Sequence, residues 1–576
     1  SVEYAGVVYS IAESPREKGV VWAGTNDGQV QVTRDGGAHW SNVTPGIPGL
    51  PPKGTVGSVD PSPFDGGTCY AAFDRHQVNG FDPLLYKTAD YGKTWKSISG
   101  NIPKGPLSYT HVVREDPFRK GLLYAGTENA LYVSFDDGGH WEPLQSKLPH
   151  APVYWLTVQP HFHDLVVGTY GRGFFILDDV TPLEQLTDTV RASAFHLFEP
   201  RPAYRLRSIS RPSLAPAGAA GGRNPAYGAT INYWLKEAPK SGDEAKKPEP
   251  PPPGKTLEGV SESPAAEKPA EESAAEPKKK SPVEVTIWNE AGEKIRTISG
   301  AAKAGFNRVA WDLRYEPTEE VRIRTTPAGN SHIWEEKRFR GKDRRGVYYY
   351  GIDAPKRGPL VPPGTYTVKV TYGGKEETQK VVVRKDPNSA GSDADVETSA
   401  KFARALSRDV DAAAGMINQL EWIRLQLEGY RKMLRAAKAS RPEIAAAEEL
   451  EKKIRAVEDR LLQPTLAEAD LKSFRGPLEL YLKLVWLLAE SETGGGDVSG
   501  NADFPPTQAE REVYELLSKQ LADVRRDFEE LYGKAIPAFN ETAKAKGFAL
   551  MTVKEPPEPR TEKPEEPDDD AARLDE

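Results

Sequence analysis

Apolar and polar residues alternate in short runs along the first 190 residues, and turns rich in Gly, Asp and Asn close each run. Such runs predict short antiparallel strands. They fall into four sets, which begin near Val7, Val56, His111 and Val153 and continue through 20–25, 69–73, 122–127 and 165–169. The sets are spaced by roughly 45 residues, a period that predicts a repeat of three or four strands, which is a propeller blade. After residue 186 the runs lengthen: 194–198, 229–235, 283–288, 307–311, 365–370 and 379–383 read as strands of one immunoglobulin-like sandwich. From Val396 onward the period turns helical. Residues 400–439, 442–462, 478–490 and 507–546 carry apolar side chains three and four residues apart, such as Leu406, Val410, Ile417, Leu420 and Ile423. A four-helix bundle follows from that spacing.

An octapeptide punctuates the first three repeats: Ser/Thr, any, Asp, any, Gly, any, Thr/His, Trp. Its copies occupy 33–40, 88–95 and 134–141. A turn between antiparallel strands needs these residue types. The carboxylates of Asp35, Asp90 and Asp136 can accept backbone N–H groups, and Gly37, Gly92 and Gly138 can take a positive φ. Trp40, Trp95 and Trp141 then leave the turn to pack between sheets. In the fourth repeat, 174–179 (Phe-Phe-Ile-Leu-Asp-Asp) stands where the octapeptide is expected.

The fold class expected is therefore mainly β with an α-helical C-terminal part. It comprises a partial β-propeller of four blades over 1–190, a sandwich over 191–386 and a helical bundle over 396–550. Composition adds two segments outside the packed parts. Residues 240–281, rich in Pro, Glu, Ala and Lys, cannot bury enough surface to offset their ordering entropy, so they predict a disordered insertion within the sandwich. Residues 551–576 predict a disordered acidic tail, which carries most of the net charge of −8. The remainder is nearly neutral, which argues against a nucleic-acid partner. The single cysteine, Cys69, excludes an intrachain disulfide, and no 18-residue apolar run exists to span a bilayer. The chain starts at Ser1, already inside repeat sequence, which suggests a mature or trimmed chain. Closed rings of such blades commonly have six or more, so further blades are expected upstream or in another chain.

The octapeptide resembles the Asp-box of sialidase-like and sortilin-like propellers. The chain resembles bacterial sortilin-like or BNR-repeat proteins, often labelled glycosyl hydrolases, and looks like the C-terminal part of one. The stretches carrying the likeness are 70–76, 122–141, 167–179, 224–229, 307–314 and 363–366. The resemblance implies propeller architecture and a secreted or periplasmic location. It leaves function open, because the hydrolase label rests mostly on the repeats themselves.

Candidate chemistry divides between the two ends of each blade. The octapeptide carboxylates sit on separate blades and read as turn ties. If the octapeptide joins the third and fourth strands, the opposite face carries the loops between the second and third. Arg75, His76, Glu128, Tyr170 and Arg172 lie in those loops, with Asn26, Asp27, Asp74, Asp82 and Asn129, and form the ligand-binding candidates. A glycosidase needs two carboxyl groups flanking the scissile bond, or a Tyr nucleophile with a Glu partner and, in sialidases, three arginines. Tyr170, Glu128 and Arg172 supply the residue types, but only two arginines fall in these loops, and the Arg-Ile-Pro type motif is missing. No catalytic residue is assigned. His161 and His163 are the one metal lead, and they read as a solvated loop; no metal or cofactor is expected. The expected function is a non-catalytic binding scaffold whose propeller face captures a peptide, protein or glycan within a larger assembly. The alternative is a glycoside hydrolase, a sialidase-like or endoglucanase-like propeller, with catalytic residues partly in further blades upstream.

Overall fold

The computed structural model describes residues 6–145, 147–206, 224–239, 282–327, 331–337, 339–347, 357–463, 478–493, 503–544 and 547. The expected insertion at 240–281 and tail at 551–576 lie outside the described residues. The chain divides into two compact units, Ser1–Ser193 and Ala194–Glu576.

The first unit is a row of four antiparallel sheets, each followed strand to neighbouring strand. Sheet 1 holds β1 (Val8–Glu13), β2 (Val21–Thr25), β3 (Val30–Thr33) and β4 (Ser41–Asn42). Sheet 2 holds β5 (Thr55–Pro61), β6 (Cys69–Arg75), β7 (Gly80–Thr88) and β8 (Lys96–Ser97). Sheet 3 holds β9 (Thr110–Glu115), β10 (Leu123–Thr127), β11 (Leu131–Ser134) and β12 (Glu142–Pro143). Sheet 4 has three strands: β13 (Val153–Gln159), β14 (Asp164–Thr169) and β15 (Phe174–Leu177). Alternation puts one apolar face of each strand pair against the neighbouring sheet. Trp22, Val32, Val59 and Phe73 join sheets 1 and 2 in one core, and Tyr70, Leu85, Val113 and Leu123 join sheets 2 and 3. Leu131, Val133, Leu156 and Leu165 join sheets 3 and 4. Cys69 is a buried member of the first core.

Sheet 4 corrects the sequence reading. Residues 174–177 do not replace an octapeptide; they are the third strand, paired from Gly168↔Phe174 to Leu165↔Leu177. The Ser/Thr-x-Asp-x-Gly turn chemistry is absent after them. Pro182 instead starts a helix, so the chain enters α1 (Thr181–Gln185) and then α2 (Asp188–Ala192). Arg119 ties α1 to sheet 3, its Nη1 donating to the Leu183 and Leu186 carbonyls at 2.7 and 2.8 Å.

The second unit combines two sheets with helices. One sheet contains β16 (Phe195–Leu197), β18 (Ala229–Leu235) and β21 (Gly305–Trp311). The other contains β17 (Ala203–Arg205), β19 (Val283–Trp288), β20 (Lys294–Gly300), β22 (Gly364–Tyr372) and β23 (Lys375–Lys385), with β17 parallel to β23. Ile231, Tyr233 and Trp311 meet Val285, Val368 and Val370 between them, so the two sheets form a sandwich. The helices are α3 (Asp393–Ala436), α4 (Arg441–Leu461), α5 (Leu480–Thr493), α6 (Gln508–Glu530) and α7 (Ile536–Lys544). A π-helical turn, Leu531–Ala535, breaks the last expected helix into α6 and α7. Leu406, Ile417, Leu450, Leu484 and Leu521 share the bundle core.

Candidate functional site

The three octapeptides occupy the turns between the third and fourth strands and close on themselves. Asp90 accepts from Thr94 N at 2.9 Å, Thr94 Oγ1 at 2.7 Å and Thr88 Oγ1 at 2.9 Å. Asp35 and Asp136 repeat this with His39 and His140, whose Nδ1 atoms lie 2.7 Å from the carboxylates. In each copy the leading hydroxyl accepts the N–H of Gly37, Gly92 or Gly138 at 2.9–3.0 Å. These glycines have φ of 80–99°, as the turn requires. The backbone N–H of His39 holds the Asp35 carboxyl well below the usual carboxylate range, and that of Thr94 lowers Asp90. Burial pulls the Asp136 carboxyl upward, but the His140 hydrogen bonds outweigh it. Each carboxylate is thereby held within its own turn, on its own sheet.

The opposite ends of the sheets carry a different feature. The first strand of every sheet bulges once, between Val8 and Ser10, Val56 and Ser58, Thr110 and Val112, and Val153 and Trp155. A bulge leaves one residue unpaired and re-aims its side chain. The bulged residues are Tyr9, Gly57, His111 and Tyr154. Glycine is required at 57, since a Cβ there would lie 2.4 Å from the His111 carbonyl oxygen.

His111 is the centre of this face. Its buried imidazole stacks on Tyr154 with centroids 4.0 Å apart and meets Tyr109 edge-on at 5.3 Å. Nε2 lies 2.9 Å from Glu128 Oε2, and Nδ1 lies 3.5 Å from Asp74 Oδ2. Asp74 also holds His76, its Oδ1 lying 2.7 Å from Nδ1, and the His76 ring stacks on Tyr109 at 4.9 Å. Phe81 lies 6.1 Å from Tyr109, and Tyr170 lies 5.6 Å from Tyr154. Burial, then the nearby Glu128 carboxylate, pushes the Tyr154 phenol up to about 12 and raises Tyr109 further. The result is a shelf of aromatic rings, with Tyr170 largely exposed, around two carboxylates already engaged by histidine.

Of the sequence candidates, the shelf contains His76, Glu128 and Tyr170. Arg75 turns away: its guanidinium donates to the carbonyls of Lys53 at 2.7 Å and Pro52 at 2.9 Å, stapling the β4–β5 connection. Arg172 is exposed beside Tyr170. Asp82 lies within β7, not in a loop, and pairs with Lys104 at 2.7 Å. Tyr109 was missed because it sits just before β9, outside the loops between second and third strands, and His111 and Tyr154 because a strand read by alternation alone hides a bulge. Their signal is the aromatic or His at the same point of three first strands. His163 contacts Glu184 of α1 at 2.7 Å and stacks on Phe118, so this end of the 161–164 segment is an anchor for the helix. Among the described residues no group of three or more His, Cys, Asp or Glu is placed to hold a metal ion. No described helix is long and apolar enough to cross a membrane.

Successive up-and-down sheets, stacked face to face with turns at one end and a rim of bulged residues at the other, are blades of the propeller type. Over 102 residues the chain is 34% identical to Vacuolar protein sorting/targeting protein 10 of Laccaria bicolor, a match covering 18% of this chain and 6% of that protein's length. No family model matches. Solved structures similar to parts of the chain include YCF48 from Cyanidioschyzon merolae, at 18% identity and TM-score 0.23 over 30% of this chain and 52% of that one. Another is the GH74 enzyme of Niastella koreensis, at 14% identity and TM-score 0.25 over 40% and 36%. At those scores neither likeness bears on substrate.

Proposed function

We propose that the protein is a non-catalytic binding scaffold of secreted or periplasmic location, whose bulge-lined face captures a segment of peptide, protein or glycan. The observation that carries this reading is the placement of His111. Its ring fills the space between Asp74 and Glu128, where a glycosidase would need a sugar and an attacking water. The exposed tyrosines beside it offer flat apolar surface with a polar edge, which suits stacking on sugar faces or on peptide side chains. The local likeness to a protein named for sorting and targeting agrees with a binding role.

The test is binding of glycan and peptide arrays by the full chain, followed by calorimetry on the hits. Tyr170→Ala is expected to weaken the best ligand about tenfold or more, in line with an interface hot spot, without changing the melting temperature. Arg172→Ala is expected to weaken it less. Hydrolysis of an arrayed glycan, abolished by Glu128→Gln, would sink the binding reading in favour of a glycoside hydrolase.

A further inference from the structure

The row of sheets buries its residues by a rule, and both ends of the row break it. The second and third octapeptides seat on the sheet before them. Trp95 meets Trp22 of sheet 1 edge-on at 6.0 Å, and Gly92 lies so close to Val43 that a Cβ would fall 2.7 Å from it. Trp141 shares a core with Tyr70 and Ile98 of sheet 2, donates from Nε1 to the Ile98 carbonyl at 2.7 Å, and is accompanied by Gly138 against Ile98. The seat is thus an aromatic residue in the second strand and an aliphatic one just after the fourth. Trp95 and Trp141 are accordingly 7% and 3% exposed. Trp40 has the same sequence context and is 44% exposed, and Gly37 has only its own Trp40 within 4 Å. Ile11, in register with the buried Val59 and Val113, is 66% exposed. At the other end Phe174 matches the buried Val30, Leu85 and Leu131 in register, yet it is 82% exposed.

We propose that the Ile11–Trp40 face is an interface for one further sheet of this same repeat, distinct from the four described. That sheet would place an aromatic ring from its second strand against Trp40 and an aliphatic residue, following its fourth strand, against Gly37. The argument is continuity: two successive interfaces of this row are built by one rule, and the third position presents the same residues uncovered. It stands whether or not the aromatic shelf binds a ligand.

The experiment places a photo-crosslinking benzoylphenylalanine at position 11 of the protein in its native source and sequences the attached peptide. A peptide ending in an aliphatic residue just after a Ser/Thr-x-Asp-x-Gly-x-x-Trp turn, and different from the four sheets here, is expected. Attachment to residues 153–177 of a second copy, to a peptide without the turn, or to nothing would overturn the proposal. A second measurement uses Trp40→Ala and Trp141→Ala. In the isolated 576-residue chain only Trp141→Ala is expected to lower the melting temperature; in the native-source protein both should lower it. A Trp40→Ala variant that melts like the parent in both settings overturns the proposal as well.

Discussion

His111 holds its place partly because the neighbouring sheet has no side chain at its own bulge. Gly57→Ala would drive a methyl group to 2.4 Å from the His111 carbonyl oxygen, and backbone must move to admit it. The expected cost is about 1–3 kcal/mol, read by urea unfolding, together with loss of ligand binding as the shelf shifts. An unchanged midpoint would mean that the sheets slide apart freely there. The octapeptide carboxylates make a different residue-scale prediction. Asp90 has a folded pKa below its unfolded value, so the unfolded chain takes up protons first as the pH falls. Its contribution is fully present above about pH 5 and fades as the pH drops below about 4. Asp90→Asn should therefore melt below the parent by a constant margin at neutral pH, and the two curves should converge in acid. A margin independent of pH down to 2 would show that the charge of Asp90 is immaterial.

At the scale of elements, the parts legible in the sequence were those whose causes are local. The octapeptide ties itself within eight residues, so its turn, glycine geometry and strand context could all be read from composition and spacing. Helix periods placed α3, α4 and α5 for the same reason, and ran α6 and α7 together as one helix because the π-helical turn between them leaves the apolar spacing intact. The start of α3 could also have been found, because Ser392 and Asp395 form a capping box, with Ser392 N donating to Asp395 at 2.9 Å. What the octapeptide Trp packs against was not legible, since its seat lies a whole repeat away. Trp141→Ala removes a buried indole between sheets 2 and 3 and is expected to cost about 3–5 kcal/mol. Chemical unfolding followed by strand-region circular dichroism checks it, and a loss under 1 kcal/mol would mean that the cavity collapses without penalty. The shelf was half legible: loops gave His76, Glu128 and Tyr170, whereas His111 and Tyr154 reach it through bulges in β9 and β13 and Tyr109 from just before β9, placements that alternation within one strand does not encode.

At the scale of the second unit as a whole, a strap from the β21–β22 connection binds the sandwich to the bundle. Asp411, Asn418 and Glu421 project from one face of α3 and accept the backbone N–H groups of Glu319 at 2.6 Å, Arg322 at 2.7 Å, and Arg324 and Thr325 at 2.6 and 2.7 Å. Residues nearly a hundred positions apart make these contacts, so the sequence could suggest a boundary between 386 and 396 but not the strap that crosses it. Glu421 continues inward to Arg424 Nη1 at 2.8 Å, and Arg424 reaches Glu458 of α4 at 2.5 Å. Two carboxyls thus share one buried cation, and burial, with the adjacent Glu421 charge, holds Glu458 well above the usual carboxylate range. A carboxyl raised in the folded state keeps its proton where the unfolded chain has lost it. The folded chain then binds more protons, and stability falls as the pH climbs above about 4.3 toward the folded pKa. Glu458→Gln has no proton to lose, while its amide can still donate to Glu421 and accept from Arg424. The variant should match the parent near pH 4 and exceed it by about 1–3 kcal/mol at pH 7, measured by urea unfolding of the helical signal. If Glu458→Gln is instead less stable at pH 7 by a similar amount, Glu458 is ionised in the fold and the pair with Arg424 is what stabilises the junction of α3 and α4.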